Sequence, residues 1–101
     1  MISSMMSTLP AVPRPHSARI GGRLIKQRCS DIAKELLQIL GDSEHVCCDL
    51  SGVEVIDVMG LQLLLAAQVR QRSKGRTLTY AALSVPVREL CATFGLNIEN
   101  G

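Results

Sequence analysis

Polar and apolar positions follow two rhythms along this chain, and the changes between them mark its elements. From Lys26 to Leu40 apolar residues recur at Cys29, Ile32, Ala33, Leu36, Leu37 and Leu40, the spacing of a helix with one wet side at Lys34, Glu35 and Gln38. Gly41 supplies its stop. His45 to Leu50 is an almost unbroken apolar run, the kind expected to be buried on both faces of a parallel sheet. After a turn at Ser51-Gly52, Val53, Val55 and Ile56 make a strand-like approach to Asp57. Helical spacing then returns at Leu61, Leu64, Leu65 and Gln68 or Val69, broadened by Leu63, Ala66 and Ala67, so this second helix is expected to be mostly buried. A turn over Ser73-Lys74-Gly75-Arg76 leads to a strand over Thr77 to Ala82, with Leu78, Tyr80 and Ala82 on one side. Ser84 is placed to cap a third helix, with Pro86 in its first turn where a missing amide costs nothing. Val87, Leu90, Cys91 and Phe94 form its expected core stripe, Gly95 ends it, and Leu96 and Ile98 are expected to return onto the sheet.

The N-terminal part is less regular. Met1 to Ser4 read as a flexible end, Met5 to Val12 as an edge strand, Pro13-Arg14-Pro15 as a turn and Ser17 to Ile20 as a second short strand ended by Gly21-Gly22. The same proline density also suits an irregular arm. Strands alternating with helices imply a largely parallel sheet with right-handed crossovers, and 1–101 reads as one domain without repeats or linkers.

The junction at Asp57 carries the most information. Strand-like residues stop there and helix-period residues begin, so its carboxylate is placed to accept from the first free helix amides. Gly60 falls in the first turn, where glycine costs up to about 1 kcal/mol against alanine, and close packing is the favoured reason for it.

Asp49-Leu50-Ser51-Gly52-Val53, then Ile56-Asp57, two variable positions, Gly60-Leu61 and a leucine-rich helix together resemble the signature of the STAS family, the domain shared by anti-sigma-factor antagonists and sulfate transporters. The likeness runs from about Val46 to Leu96. It implies an α/β fold with a small mixed, mostly parallel sheet flanked by about three helices. It also implies that a partner reads the turn before the central helix and the adjoining helix face, here Asp57, Val58, Met59, Gly60, Leu61 and Gln62. In the family's switch members the residue after the aspartate is a serine or threonine that a kinase phosphorylates, which adds nearly two negative charges and expels the partner. Val58 stands at that position and Met59 follows it, so neither offers a hydroxyl. A constitutive binder is therefore expected. The alternative for each of the two side chains is simple packing within the fold.

Composition narrows the function. With 47% hydrophobic residues but only Tyr80 and Phe94 aromatic, the core must be aliphatic. The net charge of +2 is too small to argue for nucleic acid, and no aromatic platform accompanies the cations. Those cations are unevenly spread: Arg14, Arg19, Arg23, Lys26 and Arg28 precede the first acid, Asp31, while Arg70, Arg72, Lys74 and Arg76 suit the negative pole of the central helix. Cys29, Cys47, Cys48 and Cys91 lack paired ligand spacing, and His16 and His45 are isolated, so neither a metal nor another cofactor is expected. The cysteines read as small apolar residues in a reducing, cytoplasmic setting. No run reaches the eighteen or so apolar residues of a membrane span. Asp49, Glu54 and Asp57 lie close in sequence without a completing base or nucleophile, so no catalytic residue is assigned. The expected partner is a protein, either a switch kinase or anti-sigma factor or a chemotaxis-type signalling protein. A second possibility is the ATPase of an ABC-type lipid-transport complex of which the chain is the STAS subunit. The proline-rich edge and low aromatic content leave a homodimer open.

Overall fold

Five short strands and three helices alternate over residues 16–99, the residues described by the computed structural model. In chain order they are β1 (His16–Arg19), β2 (Gly22–Leu24), a single 3-10 turn (Lys26–Arg28) running into α1 (Cys29–Leu40), β3 (His45–Asp49), β4 (Val53–Ile56), α2 (Val58–Ser73), β5 (Thr77–Ala81) and α3 (Val85–Thr93). The expected strand Met5–Val12 and the turn after it lie outside the described residues.

The strands form two small parallel sheets: β3 lies between β1 and β5, with Ala18, Cys48 and Tyr80 in register, and β2 pairs with β4. The β1–β2 and β3–β4 breaks sit side by side. Gly22 donates its amide to the Gly52 carbonyl at 2.8 Å. A Cβ on Gly21 would lie 3.0 Å from that same oxygen, so the approach of the two backbones excludes a side chain there. Gly21-Gly22 was expected to end a strand, and β1 has ended by Gly21, but no further strand was expected to start at once. Instead Gly22 opens β2, a strand too short to show a period in the sequence.

One face of the three-stranded sheet faces the core. Val46, Cys48 and the following Leu50 are buried, whereas His45, Cys47 and Asp49 are half-buried, which corrects the expectation of a strand covered on both faces. Burial pushes the Cys48 thiol up to about 11, with Cys47 adding to the effect, so it stays protonated near neutral pH. Tyr80, in β5, is the largest buried side chain. Its hydroxyl donates to the Leu64 carbonyl at 2.8 Å, which satisfies the one polar atom, and burial raises the phenol above its ordinary value.

Two readings of α3 need correction. Phe94 is 51% exposed, because the helix ends at Thr93 and the chain turns through Gly95 at φ 63, so Phe94 leaves the stripe defined by Val87 and Cys91. Ile98 fills the core instead. Ser84 stands at the N-cap position, but its side chain caps no amide, and its buried hydroxyl has no partner among the described residues.

The central helix is less enclosed than its leucines suggest. Its buried face carries Gly60, Leu61, Leu64, Gln68 and Gln71, while Val69 and both residues of its first half-turn are exposed. Glutamines thus occupy core positions and valines face outward.

Candidate functional site

The α2 N-terminus is built around Asp57. Its extended backbone (φ −112°, ψ −179°) lets Oδ1 accept from the Gly60 amide at 2.9 Å, the geometry of a helix N-cap. Oδ2 accepts from the Lys26 amide, also at 2.9 Å, at the start of the 3-10 turn. One carboxylate therefore ties two helical N-termini together across the β2–β4 ribbon. The Asp57 amide donates to the Leu24 carbonyl at 3.1 Å, which fixes the corner from its backbone as well. The Gly60 and Lys26 amides hold the Asp57 carboxyl below the usual carboxylate range.

This arrangement sets a pH dependence. A carboxyl depressed in the native state contributes stability that is fully present above its unfolded value, about 3.9, and is lost as pH falls through the native value. Asp57→Asn keeps an acceptor for capping but no longer titrates, so the loss of melting temperature below about pH 4 should be shallower than in the wild type. Asp57→Ala leaves both amides without that acceptor and should cost about 1 kcal/mol at neutral pH, read by urea denaturation.

The six residues expected to meet a partner divide into three groups. Val58 and Met59 are 44% and 43% exposed, and Gln62 is also exposed. Gly60 and Leu61 are buried and so present no side chain to a partner. Gly60 is required by close packing: a Cβ there would collide with the Leu24 carbonyl oxygen and lie 2.9 Å from its carbon. Asp57 is half-buried and occupied by its two amides.

Sequence reasoning missed one neighbour of this corner. Val53 and Val55 should share a face of a regular strand, yet Val53 is buried and Val55 is 45% exposed. The register explains it: Gly22 pairs with Val53 but Arg23 pairs with Val55, so Glu54 is an extra residue in a bulge that turns Val55 outward beside Arg23. The only available signal was the run of cations from Arg19 to Arg28, which the sequence alone did not tie to this corner.

No catalytic constellation forms among the described residues. Asp49 accepts from the Ser51 amide at 2.7 Å and lies 3.9 Å from Arg19, as a strand-end turn residue would. The groove between α1 and α2, about 160 Å³ in volume, is lined by Leu36, Leu37, Leu63 and Ala66 among others, and Arg70 is its one charged group. No three His, Cys, Asp or Glu side chains converge among the described residues, and no helix there is long and apolar enough to cross a membrane.

Helices packed on short parallel strands make this a small α/β domain whose α2 begins at an exposed corner capped by Asp57. A family model described as "Mlab, STAS domain" matches residues 10–98, and the chain belongs to the STAS domain family. Domains of this family are generally non-catalytic regulatory modules that mediate protein–protein interaction. No curated protein sequence matches the chain closely enough to count as a relative.

Proposed function

We propose that the chain is a regulatory adaptor that docks a protein partner on Val58, Met59 and Gln62, at the corner that Asp57 caps. The observation that carries this reading is the exposure of two adjacent apolar side chains at the start of a rigidly tied helix. Because Val58 has no hydroxyl, a kinase cannot charge this position, and docking is governed by which partner is present rather than by a covalent mark. The leading partner class is a switch kinase, an anti-sigma factor or a chemotaxis-type signalling protein. The match to a family model described as Mlab, rather than as a sigma-factor antagonist, favours keeping a second reading: a subunit of an ABC-type lipid-transport complex, docked through the same corner on its ATPase.

Affinity capture from the native cell, followed by titration of the identified partner, tests the reading. Val58→Asp places one charge in the apolar contact and should weaken binding about tenfold or more, since a charge buried at an interface without a partner is costly. Unchanged affinity would remove the corner as the docking site. Recovery of a transporter ATPase would replace the signalling assignment with the second reading.

A further inference from the structure

The bulge at Glu54 enlarges the exposed corner in a specific direction. Without it Val55 would point inward with Val53; with it, Val55 lies outside on β4, in register with the exposed Arg23 of β2 and three residues before Val58. Lys26 adjoins the same corner through the bond from its amide to Asp57, and Arg28 reaches back over β2 to the Arg23 carbonyl at 3.4 Å. Arg23, Lys26 and Arg28 make no ion pair among the described residues, where the pair recorded is Arg19 with Asp49 in the other sheet. Of the carboxylates close in the chain to these cations, Asp57 is engaged by two amides, Glu54 is exposed, and Asp31 is exposed in the first turn of α1, three residues after Arg28.

We propose that the outer face of the β2–β4 ribbon and the start of α2 form one docking surface, an apolar centre of Val55, Val58 and Met59 bordered by Arg23, Lys26 and Arg28, and that its partner is a protein surface with an apolar patch bordered by carboxylates. Charge complementarity carries the assignment, because cations left unpaired around an apolar centre lower the cost of bringing carboxylates there and raise the rate of encounter. A lipid surface fits less well: Glu54 stands beside Val55 and would be repelled by anionic headgroups, and the centre holds no aromatic side chain to seat at the interface. The inference rests on the docking reading above and adds the chemistry of the partner.

A defined probe tests it. The full chain, labelled with nitrogen-15, is titrated with a synthetic amphipathic helix that has leucines on one face and glutamates beside them. A counterpart with lysines in place of the glutamates and vesicles of equimolar phosphatidylglycerol and phosphatidylcholine serve as comparisons. The glutamate peptide should shift the amide resonances of Arg23, Val55, Val58 and Met59, and its affinity should fall several-fold between low and physiological salt. Arg23→Glu combined with Lys26→Glu should weaken it about tenfold. Both side chains are exposed, and Lys26 holds Asp57 through its backbone, so the melting temperature should not change. Failure of the glutamate peptide to bind, equal binding of the lysine peptide, vesicles alone shifting these resonances, or indifference to the charge reversal would each overturn the proposal. If Val58→Asp abolishes binding while the charge reversal does nothing, the apolar docking reading stands and this inference falls. The opposite pattern removes the apolar reading and with it the apolar centre of this surface, so both fall.

Discussion

Gly60→Ala should destabilise the protein by about 3 kcal/mol or more, since among the glycines of the described residues it is here that an added methyl group meets the closest backbone. The added carbon would meet backbone: the Leu24 carbonyl oxygen collides with it, the carbonyl carbon lies at 2.9 Å and the Leu24 Cβ at 3.1 Å. A flexible side chain could swing aside, but this carbonyl accepts from the Asp57 amide at 3.1 Å and is held by β2 in register with β4. Relief therefore requires α2 to move off the ribbon, which would also pull Gly60 from the Asp57 cap. Alanine is the better helix former by about 1 kcal/mol, so intrinsic propensity predicts the opposite sign. Urea denaturation of Gly60→Ala beside Met59→Ala, an exposed neighbour expected to change stability by less than about 0.5 kcal/mol, separates the two accounts. A stabilised Gly60→Ala would show that the contact yields more easily than its geometry indicates.

Gln68→Leu should cost about 2 kcal/mol, whereas Gln71→Leu, one turn further along the same buried face, should be neutral or stabilising. Both glutamines are buried, but their amides differ in what they reach. Gln68 Nε2 donates to the Leu78 carbonyl at 3.1 Å and to the Ile98 carbonyl at 2.8 Å, joining α2 to β5 and to the segment after α3. Removing it leaves two acceptors short of a donor and loosens the hold on Ile98, whose side chain completes the core. Gln71 Nε2 has no partner among the described residues, so replacing the side chain with an apolar one gives up no bond from that atom and removes the cost of burying it. Amide hydrogen exchange should show faster opening over residues 96–99 in Gln68→Leu only. Equal losses for the two variants would mean that packing volume, not hydrogen bonding, governs this face.

Several features could be read from residues alone because their causes are local. Helix α1 follows from apolar spacing between Ile32 and Leu40 and a glycine at position 41, and its buried residues are Ile32, Leu36 and Leu40. The family is legible from Asp49 to Leu61, where turn, cap and close-packed glycine fall at fixed offsets. Phe94 was misread because a periodic pattern does not announce where a helix stops: one residue past Thr93, the same spacing no longer points at the core. The spacing left Gln68 or Val69 open as the buried position and did not include Gln71, because a polar side chain's burial depends on whether the other elements enclose it.

The candidate corner shows the same division. Asp57, Val58 and Met59 stand together because they are consecutive, and the missing hydroxyl at Val58 is a property of composition that no fold could change. That Asp57 also holds Lys26, thirty-one residues away, depends on the ribbon that brings two helical starts to one carboxylate. That Val55 lies outside beside Arg23 depends on a single extra residue in the β2–β4 register. Periodicity and capping act within a few bonds and are written in the chain itself, whereas register, backbone approach and the partners of buried amides are settled between distant segments, where only the tertiary structure decides which groups meet.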